Sequence, residues 1–394
     1  MIRQQLPAYS PISLPAMLRG AVAAITDPAG ATEGLERMLL EALGADWVVL
    51  TSSGTDALRV AFEALDPPPT PSEPVLLPAY SCFDLVTAGV GAGVSVRFYD
   101  IDPRTLTPRS ADLERAARDG CRAIVASNLF GFPLDWSSVR SLADDVGATL
   151  IEDAAQALGS AWHDRPGGTF GDLTVLSFGR GKGWTGGSGG ALVGRGPRMD
   201  QATAVLREGR LGARDFFVSL VLWILGRPSL YRVPASVPAL GLGETRYKTP
   251  TVPSAINRLA AALAFRHADL ARDAVEGRRA KAATLGDVLE GGSRVEPCRP
   301  LEAGRCGYLR YPVLAPDRGE AERYATVLQR SGVARGYPVA LPDLPQVEAL
   351  AGEPRKCPGA AVLAERLLTL PTHPRVRRID VRRIEAVLRG VAVT

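Results

Sequence analysis

The feature of this sequence that most constrains its fold is a regular alternation of short apolar runs with helix-length segments. Six apolar runs rich in β-branched residues are predicted to be strands: DWVVLTS, EPVLLPA, VSVRFYD, RAIVASN, ATLIEDA and LTVLSFG. The segments between them, such as TDALRVAFEAL and SADLERAARDG, space their apolar residues as amphipathic helices do. Nearly continuous apolar strands are covered on both faces, so residues 45–193 are predicted to form an α/β fold with a mostly parallel sheet between helices.

The second part of the chain follows a different pattern. A proline-rich segment, residues 229–253, is predicted to be a long irregular connection. A long helix is predicted after it, followed by a strand in YLRYPVLAP and helices in GEAERYATVLQRSG and DVRRIEAVLRG. We therefore predict a large α/β domain over residues 1–245, which includes the N-terminal segment, and a smaller α+β domain over residues 246–394.

Composition and charge disfavour several kinds of partner. The net charge is only +4 and no basic run is interleaved with aromatics, so no nucleic-acid partner is predicted. The five cysteines lack CxxC spacing, which indicates reduced thiols in a cytoplasmic protein and no metal site. The longest apolar run, residues 216–226, is shorter than the about 20 residues of a transmembrane helix, and no secretory signal is visible. We expect this run to form a buried or interfacial helix, with peripheral membrane contact as the alternative.

Three loops that follow predicted strands carry candidate functional residues. TSSGTDAL leads from a strand into a helix, where free backbone N–H groups and the helix dipole favour a phosphate, although ordinary capping explains the same residues. Asp153 ends a buried strand, where a carboxylate is costly unless a cation faces it; it could also cap the next helix. Lys182 lies in the glycine-rich LSFGRGKGWTGGSGG, and it is one of only four lysines among 46 Lys and Arg residues.

Lys182 offers chemistry that arginine does not. An arginine keeps its proton, whereas a lysine amine can react with a carbonyl group. The loop fits neither the Walker spacing nor GxGxxG. A phosphate-binding turn, a strand-end acid and this amine together match the needs of pyridoxal 5′-phosphate. The turn would hold the phosphate, Asp153 would keep the ring nitrogen protonated, and Lys182 would bind the aldehyde and later move the α-proton. A plain surface lysine is the alternative.

Further motifs make the chain resemble the DegT/DnrJ/EryC1/StrS family of fold-type-I pyridoxal-phosphate aminotransferases. The resemblance is densest between residues 50 and 193. It rests on SGTDAL, LPAYSCFDLVTAGVGAGVSVRFYDID, NLFGFPLDWSSV, IEDAAQALGS, SFGRGK, GGSGGALV and, near the C-terminus, LLTLPTHPRV. It implies a seven-stranded type of sheet sandwiched by helices, and a homodimer with its active sites at the interface.

The resemblance also implies roles for single residues. Lys182 would be the Schiff-base lysine, Asp153 the partner of the pyridine nitrogen, and Gln156 a hydrogen-bond partner of the ring hydroxyl. The residues implied to bind the cofactor's phosphate are Ser53, Gly54, Thr55 and Ser177.

Some positions depart from the family's pattern. The family stacks an aromatic side chain on the cofactor ring where this chain has Cys82, so either that thiol or the neighbouring Phe83 would pack there. Asn128 stands where the family has a histidine, and with Tyr80 and Arg180 it is a candidate for substrate contact.

The family's GYNxR segment, which reaches the phosphate of the neighbouring subunit, has no clean match. TRYKTPTVPSAIN fills that region, and Lys248 and Asn257 are candidates for the missing contact. The segment over residues 229–253 is therefore expected to shape an acceptor pocket of its own.

The resemblance implies an aminotransferase, because relatives that act as sugar dehydratases replace the lysine with histidine. Glutamate or glutamine would be the amino donor, and a nucleotide-linked keto-deoxysugar would be the acceptor, in polysaccharide or glycosylated-metabolite synthesis. Two alternatives stay open: an enzyme of the same fold that dehydrates or cyclises a non-sugar substrate, and a cofactor-binding regulator without catalysis.

Overall fold

The computed structural model describes residues 4–197, 206, 213–231, 246–290, 292–348, 350–351 and 356–390. The strands within these ranges, in chain order, are Trp47–Thr51 (β1), Val75–Pro78 (β2), Val96–Tyr99 (β3), Ala123–Ser127 (β4), Thr149–Asp153 (β5), Ala161–Trp162 (β6), Arg165–Pro166 (β7), Leu173–Ser177 (β8), Gly190–Gly194 (β9), Glu296–Pro297 (β10), Gly304–Arg305 (β11), Arg310–Leu314 (β12), Ala334–Arg335 (β13) and Leu367–Pro371 (β14).

The helices surround these strands. They are Leu14–Thr26 (α1), Pro28–Leu43 (α2), Gly54–Glu63 (α3), Asp84–Ala92 (α4), Ser110–Arg118 (α5), Trp136–Val146 (α6), Ala213–Leu225 (α7), Arg258–Glu290 (α8), Arg318–Val327 (α9), Pro358–Arg366 (α10) and Arg378–Leu388 (α11). Short 3₁₀ turns occur at Leu129–Gly131, Gln329–Ser331, Leu341–Asp343 and Pro345–Val347.

A seven-stranded sheet forms the centre of the molecule, in the order β1-β9-β8-β5-β4-β2-β3. All its strands run parallel except β9, which is antiparallel to both of its neighbours. The strands β2, β4 and β9 are buried along their whole length, as expected for strands covered on both faces. The six predicted strands and the helices between them are confirmed, and the sheet brings the ends of the parallel strands to one edge.

The first two helices were not predicted from the sequence. Ser13 caps α1 by accepting a hydrogen bond from the Ala16 N–H, and Asp27 caps α2 by accepting one from the Gly30 N–H at 3.0 Å. Helix α2 ends at Gly44, whose φ of 58° is in the left-handed region that glycine favours. Both helices pack on the N-terminal half of α8.

The long helix α8 connects two apolar cores. Near its start, Ala260 and Ala264 pack with Leu35 and the central sheet's β9. Near its end, Leu285 packs in a second core with β12, β14 and α11. In this second part a four-stranded antiparallel sheet has the order β10-β12-β14-β13. The predicted domain boundary between residues 245 and 246 adjoins residues outside the described ranges and stays a prediction.

The apolar run over residues 216–226 lies largely in α7. Its Phe216, Leu220 and Trp223 pack against an apolar cluster formed by α1 and the start of α8. Its other side is open, since Phe217 and Val221 are 64% and 48% exposed. No helix in the part of the chain that the structure describes is long and apolar enough to cross a membrane.

His373 gives the fold a dependence on pH. Its side chain is 2% exposed, its Nε2 donates a hydrogen bond to the Leu6 carbonyl at 2.9 Å, and its Nδ1 has no partner among the described residues. Burial lowers the pKa of His373 to about 4 from its ordinary 6.5, and the nearby Arg375 and Arg310 cations act in the same direction. The hydrogen bond to Leu6 and the Asp380 carboxylate oppose this shift. The folded protein therefore holds this imidazole neutral where the unfolded chain would protonate it.

For this reason we expect the free energy of unfolding to decrease as the pH is lowered. The contribution of the neutral imidazole is complete above about pH 6.5 and is lost as the pH falls towards 4, by up to roughly 3 kcal/mol. Urea unfolding at several pH values should show a flatter dependence for His373→Gln than for the wild type. The exposed His163 serves as the control, and His163→Gln should keep the wild-type slope. Equal slopes for His373→Gln and the wild type would refute this role of the imidazole.

Candidate active site

The loops after the parallel strands enclose a cavity of about 540 Å³, which we call the strand-end cavity. Six of the predicted site residues line it: Ser53, Gly54, Thr55, Ser177, Arg180 and Lys182. It also receives residues 6–10 and 12 of the N-terminal segment, together with Asp84, Tyr231, Lys248 and Arg310. The structure thus gathers the predicted phosphate turn and the predicted amine in one place.

The turn before α3 forms a cradle for an anion. Gly54 and Thr55 are the first residues of α3, where backbone N–H groups lack acceptors within the helix. Ser53 caps the helix, its Oγ accepting a hydrogen bond from the Asp56 N–H at 3.0 Å. Ser177, at the end of β8, packs closely against Gly54. A Cβ on Gly54 would lie only 2.8 Å from the Ser177 Cβ. Two amides, two hydroxyls and the helix dipole are therefore available to a phosphate.

Gly190 supports this cradle from β9. A Cβ at Gly190 would lie 2.5 Å from the carbonyl carbon of Ser53 and 2.6 Å from the Gly54 nitrogen, so backbone would have to move. We expect Gly190→Ala to weaken cofactor binding by roughly 10-fold or more, as overpacking of this kind costs about 1–3 kcal/mol. Equilibrium dialysis of the cofactor measures this.

Gly277 in α8 supplies a matched control for that change. It is exposed, and a Cβ there would meet only Pro374 at an ordinary 3.7 Å. Gly277→Ala should leave cofactor affinity unchanged and add up to about 1 kcal/mol of helix stability. Equal cofactor affinity of Gly190→Ala and Gly277→Ala would contradict the described role of the cradle.

Asp153 presents a buried carboxyl group at the end of β5. It is 8% exposed, and it accepts hydrogen bonds from the Ser127 hydroxyl at 3.0 Å and the Ala155 N–H at 3.2 Å. Burial raises the pKa of Asp153, while the nearby Lys182 ammonium opposes the rise. No ion pair joins Asp153 to a described residue. A protonated ring nitrogen would supply the cation that this carboxylate lacks.

Lys182 lies in the loop after β8, between two glycines in left-handed conformations, Gly181 with φ 75° and Gly183 with φ 82°. This backbone suits glycine alone and turns the half-buried lysine into the cavity. Burial by itself would lower the pKa of the ammonium, but the side chains of Cys82, Asp84 and Asp153 outweigh it and raise the pKa. The amine thus interacts electrostatically with the predicted ring-nitrogen partner, although Asp153 itself does not line the strand-end cavity.

Cys82 stands where the family stacks an aromatic side chain. It interacts electrostatically with Lys182 but does not line the strand-end cavity. Burial raises the pKa of Cys82 to about 12, and its thiol donates to the Asp84 carboxylate at 3.2 Å. Phe83 is 4% exposed and its ring lies 6.3 Å from that of Tyr337. The choice between Cys82 and Phe83 for packing on the ring stays open.

Two predicted substrate residues are not brought to the cavity. Tyr80 is fully buried, and its hydroxyl accepts a hydrogen bond from the Tyr337 N–H at 2.7 Å. Asn128 is 1% exposed and donates to Glu152 at 3.1 Å on the face of β5 away from Asp153. Both side chains are engaged in the fold, Tyr80 with Tyr337 of the C-terminal part and Asn128 with the neighbouring strand β5. Arg180, in contrast, is exposed and lines the cavity.

Tyr337 is a site residue that the sequence did not reveal. Gln156 accepts from the Phe130 N–H at 3.1 Å and donates its amide to the Tyr337 hydroxyl at 2.9 Å. The Tyr337 ring packs on Tyr80 and Phe130, with centroids 5.5 and 6.1 Å apart. The tyrosine follows the short β13 in another sheet, and only the GYP turn after that strand could have drawn attention to it.

The candidates for the cross-subunit phosphate contact take different places. Lys248 lines the strand-end cavity of its own chain. Asn257 precedes α8, where its side chain accepts from the Ala260 N–H at 2.8 Å and donates to Ser188 at 3.4 Å. Asn257 is thus engaged as a helix cap, and the contact to a neighbouring subunit stays a prediction.

A sequence model of the DegT/DnrJ/EryC1/StrS aminotransferase family matches residues 24–389, which is nearly the whole chain. The chain belongs to this family. The predicted family, fold and enzyme class, a transaminase that uses pyridoxal phosphate, are confirmed by that match.

Relatives and solved structures of the family agree with the match. The UDP-N-acetyl-3-dehydro-alpha-D-glucosamine 3-aminotransferase of Acidithiobacillus ferrooxidans is 27% identical over 86% of this chain and 82% of its own. GDP-perosamine synthase of Vibrio cholerae is 29% identical over 53% of this chain and 55% of its own. Protein MosB of Rhizobium meliloti is 33% identical over 44% of this chain, and the match spans only 34% of MosB.

Among solved structures, the aminotransferase TlmJ of Streptoalloteichus hindustanus has a TM-score of 0.76 at 23% identity, over 99% of this chain and 98% of its own. The sugar aminotransferase Spr1654 of Streptococcus pneumoniae, in its PLP-form, has a TM-score of 0.76 at 19% identity, over 98% of both chains. These two similarities show the fold.

The residues present fit pyridoxal phosphate. The cradle at Gly54 has no room for a side chain and leaves amide groups for a phosphate. The buried Asp153 carboxyl forms no ion pair with a described residue, and the Gln156 amide reaches a hydroxyl group in this structure, that of Tyr337. The separate roles of these residues remain predictions.

Proposed function

We propose that the protein transfers an amino group from glutamate or glutamine to the keto group of a nucleotide-linked keto-deoxysugar. The observation that carries the proposal is the position of Lys182, a half-buried amine that lines the strand-end cavity and interacts electrostatically with the buried Asp153 carboxyl. The cofactor, when bound, withdraws electrons from the carbon that carries the amino group. Binding, orientation and proton transfer belong to the chain's own residues.

The cradle residues bind and orient the cofactor. The Gly54 and Thr55 amides and the Ser53 and Ser177 hydroxyls hold its phosphate, and Gln156 donates its amide to the ring hydroxyl. The Asp153 carboxylate holds a proton at the ring nitrogen, since a buried anion stabilises a cation placed against it.

Lys182 moves the proton. Its Nζ would take a proton from the α-carbon of the donor as a general base and, once protonated, would give that proton back as a general acid. In the second half of the reaction the same atom performs these transfers in the opposite direction on the acceptor. The glycines on either side let this loop approach the ligand closely.

The family's relatives support a keto sugar as the acceptor. They include proteins named GDP-perosamine synthase and dTDP-4-dehydro-2,3,6-trideoxy-D-glucose 4-aminotransferase. Another is the L-glutamine:2-deoxy-scyllo-inosose aminotransferase of Streptomyces kanamyceticus, 32% identical over 50% of this chain. That name favours a cyclic polyol ketone without a nucleotide as the second candidate acceptor.

The protein is further proposed to act in the cytoplasm as a homodimer with its active sites at the interface, in polysaccharide or glycosylated-metabolite synthesis. The scattered cysteines, which lack CxxC spacing, support a reducing compartment. The family resemblance supports the dimer, and sedimentation of the purified protein tests it.

Single-turnover spectroscopy tests the activity. Glutamate or glutamine should bleach the visible band of the bound cofactor, and a keto sugar should restore it with transfer of the donor's ¹⁵N to the product. A cofactor band that no amino donor changes would favour the regulator. Bleaching without ¹⁵N in any nucleotide sugar or cyclitol product would favour a non-sugar substrate.

A further inference from the structure

Arg310 is a fixed cation in the wall of the strand-end cavity. It begins β12, in the sheet of the C-terminal part of the chain, and lines the same cavity as Lys182. Its Nη2 donates to the carbonyl oxygens of Thr369 at 2.8 Å and Gly332 at 3.2 Å, which hold the guanidinium in place. Its Nε is buried without a partner, and Nη1 donates to no described residue. A rigid cation with free donor capacity therefore faces the site.

The charge of Arg310 is uncompensated in the described part of the chain. No carboxylate there forms an ion pair with it, and the titratable groups that interact with it are the hydroxyls of Tyr231 and Tyr337 and the imidazole of His373, whose pKa burial lowers to about 4. Burial raises the pKa values of both hydroxyls, so they stay neutral. Burial lowers the pKa of Arg310 to about 9, which still leaves it charged at neutral pH. A half-buried charge with no counter-ion is costly unless a ligand supplies one.

The hydrogen-bond contacts of Arg310 are separate from those of the phosphate cradle. The cradle provides amides and hydroxyls for the cofactor's phosphate at the start of α3. The groups that contact or interact with Arg310 are those of Gly332, Thr369, Tyr231, Tyr337 and His373, and none of them belongs to the cradle. Tyr337 in turn bonds Gln156, the residue proposed to contact the cofactor's ring hydroxyl and not its phosphate.

We propose that Arg310 binds a carboxylate of the amino donor and so selects an amino acid for the first half-reaction. The proposal rests on the proposed function in one respect, that the donor is an α-amino acid. Guanidinium–carboxylate hydrogen bonds are charge-assisted and geometrically specific, and every α-amino acid carries the required group. Arg180, exposed at the rim, lacks the two carbonyl contacts that fix Arg310.

Direct binding of inert donor analogues tests the proposal. Glutarate and its monoamide carry the donor's carboxylates but no amino group, so they bind the holoenzyme without reacting. Calorimetry on Arg310→Gln should show at least roughly 10-fold weaker binding of the analogue that the wild type prefers. The KM for the donor should rise in parallel, with the visible band of the cofactor unchanged. Arg310→Lys, which keeps the charge, should lose less.

Arg335 is the matched control. It is half-buried, and its Nη2 donates to the carbonyl oxygens of Ala364 and Glu365, but it does not line the cavity. Arg335→Gln should bind the analogues as the wild type does. Wild-type affinity in Arg310→Gln, or no analogue binding by the wild type, would overturn the proposal. Analogue binding that depends on Arg310 in a protein that transfers no amino group would instead contradict the proposed function alone.

Discussion

Lys182→Ala is expected to lower the rate of amino transfer by roughly 10⁴-fold or more, because one side chain supplies both the reactive amine and the proton transfer. Lys182 lines the cavity, interacts electrostatically with Asp153 and lies between two left-handed glycines. No other lysine that the structure describes has this combination. The rate of the half-reaction with glutamate or glutamine, measured by rapid mixing, checks this.

Lys281→Ala is the control for that substitution. Lys281 lies in α8 and does not line the strand-end cavity, so the variant should keep wild-type activity. The alternative amine is Lys248, which lines the cavity but is exposed. Retention of activity by Lys182→Ala together with its loss in Lys248→Ala would reassign the reactive lysine.

Asp153→Asn is expected to lower kcat for both half-reactions by roughly 10²–10³-fold, the scale seen when a group that stabilises developing charge is removed. Asparagine keeps the shape and can still accept from the Ala155 N–H, but it carries no negative charge to hold a proton at the ring nitrogen. The cofactor should still bind, since the cradle is untouched. Steady-state kinetics with saturating cofactor measures the loss.

A buried aspartate elsewhere in the sheet separates this effect from general damage. Asp100 directly follows β3, is 1% exposed, and accepts from the N–H groups of Gly359 and Ala360 at 2.8 and 2.9 Å. Asp100→Asn should reduce stability and leave the kcat of the folded enzyme close to wild type. If both variants lose kcat equally, the special role of Asp153 is wrong.

Much of the fold was predictable because its strands are buried on both faces. Runs such as the one ending in Asp153 leave little ambiguity once they alternate with amphipathic segments. The helix α1 escaped prediction because Leu18 and Val22 are exposed apolar residues, which blur its amphipathic pattern. Strand β9 was not predicted because a glycine-rich segment precedes its short apolar run. It is also the antiparallel strand of an otherwise parallel sheet.

The parts of the site that consist of one continuous segment of the chain were predictable. The cradle and the loop of Lys182 are continuous segments with glycines at positions that need them. Arg310 lines the cavity and Tyr337 bonds Gln156 from the C-terminal part, more than 100 residues further along the chain than Lys182, so no local pattern connects them with that lysine. Their contribution depends on how the second sheet packs against the strand ends, and this tertiary packing is not visible in the local sequence.

The proposed chemistry depends on a covalent link between the cofactor's aldehyde and one lysine. Borohydride reduction of the holoenzyme, followed by proteolysis and mass mapping, locates that link directly. We expect the reduced cofactor on the peptide that contains Lys182. A reduced cofactor on Lys248, or no adduct on a protein that retains the visible band, would contradict the assignment.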